Sequence, residues 1–275
     1  CEIKDETVRL RDAGYREIVL TGIQLGAYGL DFESSTRLAH PRKRDHYHLL
    51  DVIKVCSDIP GIERIRLSSI EPMDIGEPLI LAFRDFPKLC PHLHIPLQSG
   101  DDEILRKMNR RYTAEDYRCL VLKLRQDIPM FSLTLDVMAG FPGETEEQFE
   151  RTVSLLRQLK PLKSHVFPYS RREGTRAALY PNLPALVVKR RVQHLLDISQ
   201  SLGEESRKTY LGQCLDVLVE SRRHKGGSFF EGTTANYLKV VFESETDVRE
   251  QIVPVRLDRI DQDGFWGSIQ KNNSN

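Results

Sequence analysis

The segment "LTLDVMAGFPGETEEQFE", residues 133–150, decides the fold prediction. It begins as an apolar run typical of a buried strand, passes through a Gly-Pro-Gly turn and then begins a helix. A turn of that kind at the carboxyl end of a strand usually faces a ligand in α/β proteins. The question is whether that ligand is a phosphate, a dinucleotide or a group bound without phosphate contacts.

The turn lacks the residues of phosphate-binding loops. A P-loop requires GxxxxGK[ST] and a dinucleotide fold requires GxGxxG, whereas this turn has only Gly140 and Gly143 and no lysine. Four acidic residues around it would repel phosphate: Asp136, Glu144, Glu146 and Glu147. We therefore expect a nucleoside site without phosphate contacts; the alternative is a tight turn that only leads into a capped helix.

Helical and strand patterns alternate on both sides of this turn. Helical patterns cover residues 2–13, 48–57, 77–86, 113–127 and the segment from Thr145, and strand patterns cover 16–22, 62–72, 91–100, 131–143 and 164–170. Capping boxes support two helix starts, Thr113 with Asp116 and Thr145 with Gln148. This alternation predicts an α/β fold with a parallel sheet or barrel that binds ligands at the carboxyl ends of its strands.

The pattern changes after a long predicted helix at about 184–209. From Gly212 onward, short alternating segments are separated by glycine and aspartate, which is typical of a small antiparallel β-barrel. We therefore predict an α/β domain at 1–210 and a small barrel at 211–275, with the boundary near Tyr210.

Composition excludes several classes of protein. The chain has 40 basic and 40 acidic residues, so its zero formal net charge gives no sign of a general nucleic-acid binder, and any basic patch must be local. No apolar run approaches the roughly 20 residues of a membrane span. The five cysteines are scattered and odd in number, which is typical of reduced thiols, so we expect a cytoplasmic protein without membrane contact.

The basic run at 33–48, the start of the chain and the spacing of the cysteines each lead to an expectation. The basic run at 33–48 is either a solvated loop or an RNA contact. Cys1 is followed at once by a helical pattern, without an initiator methionine, so we expect the chain to be the interior of a longer protein. No two cysteines form a CxxC pair, and the sequence therefore contains no recognisable metal-ligand motif.

Polar side chains follow the strands that neighbour the glycine turn. Gln98 and Ser99 could hydrogen-bond a polar ligand, Arg110 could hold a carboxylate in a bidentate contact, and Glu71 could accept an ammonium group. Each has a structural alternative, which is a surface ion pair for the arginine and helix capping or solvation for the glutamate. With Asp136 for a ribose and the glycine turn for a purine, these partners fit an amino acid joined to a nucleoside, which is S-adenosylmethionine.

Two further strand ends and one histidine complete the candidates. Ser69 lies just before Glu71, and Gly22 lets a ligand approach the backbone after the first strand pattern. His94 lies in an apolar strand, and we interpret it as a core or supporting histidine rather than as a metal ligand.

Five ordered strings carry a resemblance to a known family: "EIVLTGIQLGAYG", "RIRLSSIEP", "LHIPLQSGDDEILRKMNRRYT", "LDVMAGFPGETEEQFE" and "HVFPYSRREGTRAA". Over residues 2–209 the sequence resembles the radical S-adenosylmethionine superfamily, specifically its tRNA methylthiotransferases. Residues 212–270 resemble the TRAM domain, a small RNA-binding β-barrel. The resemblance implies a partial (β/α) barrel that lacks its first strand and so has five strands here.

The resemblance also implies an activity. In the family, a 4Fe-4S cluster on a CxxxCxxC loop reduces S-adenosylmethionine, the resulting radical abstracts hydrogen from C2 of a modified adenine, and a second cluster delivers a methylthio group. "LTGIQLGAYG" and "VFPYSRREGT" look most like the branch that acts on N6-threonylcarbamoyladenosine beside the tRNA anticodon. The isopentenyladenosine branch, the branch that modifies a ribosomal protein, and a non-catalytic RNA-binding fragment are the alternatives. An ordinary TIM-barrel lyase or hydrolase is disfavoured, because no catalytic lysine, carboxylate pair or metal triad follows the strands.

Site residues follow from the resemblance position by position. Glu71 would meet the methionyl amine, Arg110 the carboxylate, Gln98 and Asp136 the ribose, and the backbone at 139–141 the adenine. The expected S-adenosylmethionine contacts are Gly22, Ser69, Glu71, Gln98, Ser99, Arg110, Asp136, Ala139, Gly140 and Phe141. The expected contacts to RNA, an anticodon stem-loop bound by a monomer, are Arg222, Arg223, Lys225, Tyr237 and Lys239.

The sequence departs from the family at the clusters. The CxxxCxxC loop is not in the sequence, so the ligands of the two expected 4Fe-4S clusters are placed in the full-length protein, upstream of residue 2. Cys1 is either an ordinary residue or a remnant of that loop. We assign no catalytic residue within this chain and expect it to perform no chemistry by itself.

Overall fold

The computed structural model describes residues 2–29, 48–222 and 228–270. The first part of the chain alternates helices and strands as predicted. Its strands are β1 (Glu17–Leu20), β2 (Arg64–Leu67), β3 (His92–His94), β4 (Ser132–Ala139) and β5 (Lys163–Pro168). Its helices are α1 (Glu2–Asp12), α2 (Leu49–Ser57), α3 (Glu77–Asp85), α4 (Asp102–Lys107), α5 (Ala114–Asp127), α6 (Glu146–Leu159) and α7 (Ala185–Lys208). Within the described ranges, no helix combines the length and apolar character needed to cross a bilayer.

The five strands form an open, curved wall of parallel strands. β1 pairs with β2, and β3, β4 and β5 form a second parallel sheet. Two isolated parallel bridges, Ile65 with Leu89 and Ser69 with His94, join the two sheets. The order β1 to β5 is therefore continuous, as expected for a partial barrel of five strands. Because all strands run in one direction, their carboxyl ends meet at one rim.

Local sequence signals explain the helix starts. The Thr113 hydroxyl accepts a hydrogen bond from the Asp116 amide and the Thr145 hydroxyl accepts one from the Gln148 amide, so both predicted capping boxes are present. Behind the strands, one apolar core joins the helices to the wall, and β2 and β4 contribute fully buried residues such as Ile65. Burial of this core is the main source of stability for the wall.

The last part of the chain closes into a five-stranded barrel. Its strands are β6 (Cys214–Arg222), β7 (Phe229–Thr234), β8 (Lys239–Glu243), β9 (Ile252–Asp261) and β10 (Gly264–Ile269). They close in the order β10-β8-β7-β6-β9, and only β10 and β8 pair in parallel. A separate apolar core fills it, with Phe230, Phe242 and Phe265 almost fully buried. The predicted α/β fold with a small β-barrel is confirmed.

The small barrel packs against the partial barrel through four successive backbone carbonyls. The carbonyl oxygens of residues 233, 234, 235 and 236 all accept hydrogen bonds from side chains of the partial barrel. Their donors are Arg64, Arg66 and Ser132, all of which are buried. Arg66 also forms an ion pair with Glu17, at 2.7 Å between Nε and Oε1. Two buried arginines are thus satisfied by backbone oxygens of the other unit, as buried charges require.

Candidate functional site

The carboxyl ends of β3, β4 and β5 surround a cavity of about 770 Å³, here called the mouth pocket. Its floor is made by Gln98, Met138 and Phe167, and the segment that follows β5 borders its entrance. A volume of this size lies within the range of pockets for cofactor-sized ligands. The pocket lies where the sequence predicted a ligand, at the strand ends around the glycine turn.

The glycine turn is fixed by a buried ion pair. Gly140 has φ +78°, and a Cβ there would lie 2.7 Å from Val188 on α7, so the turn requires glycine at this position. Its amide donates to the Glu144 carboxylate at 3.1 Å, and Arg191 donates to the same carboxylate oxygen at 2.8 Å. The side chains of Glu144 and Arg191 are only 1% and 3% exposed. Burial raises the pKa of Glu144, against the opposing effects of the Gly140 amide and the Arg191 charge.

The prediction that Glu144 repels phosphate at the turn is wrong, because its carboxylate is buried and neutralised by Arg191. Glu146 also contacts Arg191, at 2.8 Å. These two carboxylates therefore hold the turn in shape instead of facing a ligand.

Glu71 and Arg110 contact each other at the edge of the site. The Arg110 Nη1 atom donates to both carboxylate oxygens of Glu71, at 2.8 and 2.6 Å. Both side chains are partly exposed. An amino-acid zwitterion would exchange with this pair without a change in total charge, because its ammonium group would replace Arg110 at Glu71 and its carboxylate would replace Glu71 at Arg110.

The structure separates Gln98 from its neighbour Ser99. Gln98 has φ +67°, an uncommon conformation for a residue with a side chain, and it lines the mouth pocket. Its backbone carbonyl accepts from Met138. Ser99 is fully buried, and its hydroxyl accepts from the Asp101 amide and lies 3.4 Å from the Thr152 hydroxyl. The structure thus places Gln98 at the mouth pocket and Ser99 in the core.

Asp136 lies on the inner face of β4, two residues before Met138. Its carboxylate lies 3.3 Å from Nε2 of His94, and its register partner on β5 is His165. Burial would raise the pKa of Asp136, but the hydrogen bond from His94 and the charges of His94, His165 and Arg110 outweigh it and lower that pKa. The carboxylate therefore remains ionised over the neutral pH range.

A second cavity of about 370 Å³, here called the inner chamber, is lined by Thr134, two residues before Asp136 on β4. Ser69, His94, His165 and Tyr237 are among its lining residues, so both parts of the chain contribute to it. The ring of Tyr237 stacks on His92, with centroids 4.2 Å apart. The structure therefore brings Ser69 near the inner chamber and not into the mouth pocket.

The loop after β1 requires glycine at Gly26, a position outside the predicted contacts. Gly22 is exposed, and a Cβ there would meet only ordinary contacts, the nearest at 3.6 Å to Leu25. At Gly26, in contrast, a Cβ would lie 2.3 Å from the Cβ of Asp74, so the loops after β1 and β2 approach too closely for any side chain. Spacing within "LTGIQLGAYG" does not reveal which glycine is required.

Comparison with known proteins decides the family. Residues 2–156, more than half of the chain, match the family described as the Radical SAM superfamily. The chain belongs to the Radical SAM superfamily. Its fold is also similar to that of "Coproporphyrinogen III oxidase (HemN) from Escherichia coli is a Radical SAM enzyme", with a TM-score of 0.52 over 85% of this chain and 58% of that chain, at 13% identity.

Two curated relatives of this Radical SAM chain carry names of tRNA-modifying enzymes. A "tRNA-2-methylthio-N(6)-dimethylallyladenosine synthase" of Acetivibrio thermocellus is 38% identical over 269 residues, which are 98% of this chain and 54% of that protein. A "Threonylcarbamoyladenosine tRNA methylthiotransferase MtaB" of Bacillus subtilis is 36% identical over 259 residues, 93% of this chain and 55% of that protein. The chain spans about half the length of the curated relatives it matches.

The described part of this Radical SAM chain does not fit an iron–sulfur cluster. In residues 2–29, 48–222 and 228–270, no three His, Cys, Asp or Glu side chains converge in a way that would hold a metal ion. Cys56 and Cys90 are buried, and burial raises the pKa of Cys90 to about 11, which disfavours the thiolate that a metal needs. Cys119 and Cys214 are exposed on separate elements. Cys1 lies outside the described residues.

The same part of the Radical SAM chain does fit S-adenosylmethionine. The mouth pocket is lined by Gln98, Arg110 and Phe141, and Arg110 holds Glu71 beside it. Phe141 is buried with its ring edge-on to Tyr169, 5.6 Å between centroids, and Tyr169 donates its amide to the Ala139 carbonyl. Turn and strand end therefore form one rigid wall, of the kind that an adenine ring packs against.

The predicted RNA contacts lie in different surroundings. Tyr237 is 43% exposed and sits between His92 and Arg66, whose guanidinium lies 5.1 Å from its ring centroid. Lys239 is exposed and forms an ion pair with Asp263 at 3.2 Å. Arg223, Lys225, the side chain of Arg222 and the basic run up to residue 47 lie outside the described residues.

Several residues of the pocket were not predicted from sequence. Met138 and Phe167 follow from strand alternation, because each lies two residues after an inward-facing side chain. The partner of Glu144, Arg191, comes from a helix 47 residues later, and no sequence signal marks it. The other unpredicted residues of the entrance are Arg106, Lys107, Arg172 and Arg176.

Proposed function

We propose that this chain is the Radical SAM barrel and RNA-binding small barrel of a tRNA methylthiotransferase. Its substrate is N6-threonylcarbamoyladenosine next to the anticodon, which receives a methylthio group at C2. The observation that carries this proposal is the ion pair of Glu71 with Arg110, which matches an amino-acid zwitterion and lies beside a pocket lined by Arg110, Gln98 and Phe141 of the glycine turn. The two tRNA-modifying relatives support the same class of reaction.

The residues of the mouth pocket have distinct roles in this proposal. Glu71 binds the methionyl ammonium group, Arg110 binds the carboxylate, and Gln98 hydrogen-bonds the ribose. The backbone at 139–141 packs against the adenine. S-adenosylmethionine, when bound, supplies the radical chemistry of the superfamily, and the chain orients it and excludes water from the strand ends.

The proposal assigns Asp136 to the modified base, whereas the resemblance implies the ribose. On β4 it follows Thr134, which lines the inner chamber, and precedes Met138, which lines the mouth pocket; its carboxylate is hydrogen-bonded to His94. In the proposal, this carboxylate and His165 meet the polar threonylcarbamoyl group, which carries donors and acceptors. A dimethylallyl group at the same place would remove water from an ionised carboxylate without replacing its hydrogen bonds, which is unfavourable.

The remaining parts of the proposal concern the whole protein. It carries two 4Fe-4S clusters on ligands outside the described residues, and no reaction step is assigned here to a cluster. It acts as a monomer in the cytoplasm, with the domains dividing near Tyr210. Gly22, Ser69 and Ser99 are retained only as supporting positions of the site.

The activity is tested with the whole protein reconstituted without oxygen. The expected result is iron–sulfur absorption together with cleavage of S-adenosylmethionine, and cleavage should fall at least 10-fold in Arg110→Gln. Arg118→Gln is the matched control, since Arg118 also pairs with a glutamate at 2.6 Å but lies on the outer helix α5. Intact clusters without cleavage would refute the proposal.

The substrate is tested on the nucleosides of tRNA from a deletion strain. Loss of the methylthio form of threonylcarbamoyladenosine, restored by the wild-type gene, is the expected result. Loss of the methylthio form of dimethylallyladenosine instead would assign the other branch. A Asp136→Asn variant should restore the product less well than the wild type.

A further inference from the structure

Basic side chains collect at the entrance of the mouth pocket. Arg106 and Lys107 come from α4, Arg110 follows that helix, and Arg172 and Arg176 come from the segment after β5. Among the described residues, no aspartate or glutamate lines this cavity. Five cations and no carboxylate in one cavity are a strong local excess in a chain whose formal net charge is zero.

The excess continues into the adjacent cavity. On the other side of Tyr169, a cavity of about 460 Å³ is lined by Arg171 and Lys189 and again by no carboxylate of the described residues. Glu173 lies in the same segment but lines neither cavity. The seven cations therefore form a continuous basic rim, defined as Arg106, Lys107, Arg110, Arg171, Arg172, Arg176 and Lys189.

Most of the rim is available to a ligand. Lys107 pairs with Glu103 at 2.9 Å, and Arg110 pairs with Glu71. The side chains of Arg106, Arg171, Arg172 and Arg176 are exposed and have no ion pair with any acid in the described part of the chain. Three solvated guanidinium groups at the mouth pocket and a fourth at the adjacent cavity create a positive potential that attracts polyanions.

S-adenosylmethionine does not account for this charge. It has one carboxylate, which Arg110 serves, and its ammonium and sulfonium groups are themselves positive. A ligand with several negative charges at regular spacing is needed to match the rim. The backbone phosphates of RNA on either side of a base that enters the pocket have that character, and arginine is well suited to them.

We propose that the basic rim, and not only the small barrel, binds the RNA backbone on both sides of the nucleotide whose base enters the mouth pocket. Arg172 and Arg176 contact phosphates on one side of the entrance and Arg106 on the other. This inference rests on the proposed function, because it takes RNA as the substrate. It adds a second RNA-binding surface and places it on the partial barrel.

The test measures binding of an anticodon stem-loop RNA to the 275-residue chain by fluorescence anisotropy over a range of NaCl concentrations. Arg172→Gln/Arg176→Gln removes two rim cations. If each contacts one phosphate of the loop, the slope of log K against log salt should fall by about 1.4. The variant then loses about 7-fold less affinity than the wild type between 50 and 200 mM salt.

Lys54→Gln/Arg157→Gln is the matched control. It removes the same number of exposed cations, but Lys54 and Arg157 lie near the carboxyl ends of α2 and α6, which lead to the opposite rim. The control should bind RNA with the wild-type slope. Circular dichroism and thermal melting of every variant exclude loss of fold as the cause of weaker binding.

Two results overturn the inference: a wild-type slope in Arg172→Gln/Arg176→Gln, or an equal fall in the control. The second result means that only net charge matters. The assay requires neither clusters nor catalysis, so it is independent of the proposed reaction. The two proposals can therefore fail separately. If the slope depends on the rim but the deletion strain keeps all methylthio nucleosides in its tRNA, the proposed function is refuted and the RNA-binding surface is retained.

Discussion

The buried pair of Glu144 and Arg191 predicts an asymmetric response to mutation. In Arg191→Met, the Glu144 carboxylate stays buried with only the Gly140 amide as a partner. Removal of one partner of a buried pair costs about 3–5 kcal/mol, because the other charge is left uncompensated. In Glu144→Gln, Arg191 still donates to Glu146 and to the backbone carbonyl of residue 144, and the side-chain oxygen of the glutamine can still accept from the Gly140 amide. We expect a cost of only about 1 kcal/mol.

The double variant sharpens this prediction. Arg191→Met/Glu144→Gln leaves no buried charge at the turn, so it should be more stable than Arg191→Met alone by about 2 kcal/mol. Urea unfolding followed by circular dichroism at 222 nm reports the helical partial barrel. The only tryptophan, Trp266, lies in β10 and reports the small barrel separately. With an m-value of about 2 kcal/mol/M, the midpoint of Arg191→Met should fall by about 1.5–2.5 M.

The pH dependence gives a second readout of the same pair. Burial raises the pKa of Glu144 in the folded state, so this group binds a proton more tightly when folded, and its contribution to stability falls as pH rises above about 4.5. Without Arg191 this effect grows, and the deficit of Arg191→Met should therefore shrink from pH 7 to pH 5. Equal costs for the two single variants, or a double variant no better than Arg191→Met, would refute the reasoning.

Three more predictions concern the glycine turn and the contact between the partial barrel and the small barrel. Gly140→Ala should destabilise the protein more than Gly143→Ala, as measured by thermal melting. Both positions have a positive φ, which costs about 1 kcal/mol for alanine, but only at Gly140 does the new Cβ collide with Val188. Tyr237→Ala should lower the free energy of unfolding by about 1–2 kcal/mol, because it removes the stacking on His92 and the cation–π contact with Arg66. Faster hydrogen exchange at the interface measures this loss. In the control Tyr180→Ala, where the tyrosine is equally exposed, the change should be close to zero. Burial and the nearby Arg66 charge lower the pKa of His92, so stability should fall as pH drops below about 6.5; His92→Gln should reduce that fall in urea midpoints, and an unchanged pH profile would contradict the assignment.

Local sequence signals predict the elements of this fold well. Strand 132–139 and helix 146–159 follow from an apolar run, a glycine turn and a capping box that all lie within a few residues. The five-stranded wall follows from the repeated alternation of such units. These features are set by short-range backbone preferences and by period, which a single sequence displays directly.

The site is only partly predictable, because its decisive contacts join distant segments. Gln98 and Gly140 could be singled out from strand ends, but the Glu71–Arg110 pair spans 39 residues and the Glu144–Arg191 pair spans 47. The sequence indicates Gly22 as a point of ligand access, but it gives no sign that Asp74 packs too closely against Gly26 for any side chain there. Tertiary packing decides which of several suitable residues meet, and spacing along the chain does not record it.

The four successive carbonyls at 233–236 determine which sequence changes this interface tolerates. Because the buried arginines are satisfied by main-chain oxygens, the small barrel supplies its half of the contact through the path of its backbone and not through the chemistry of its side chains. The half-buried Thr233 and Ala235 can exchange side chains at little cost, whereas an insertion or deletion of a single residue would move main-chain acceptors away from two buried guanidinium groups. A fusion of the small barrel to another enzyme of this kind should therefore pack correctly only if the length of the 233–236 segment is preserved.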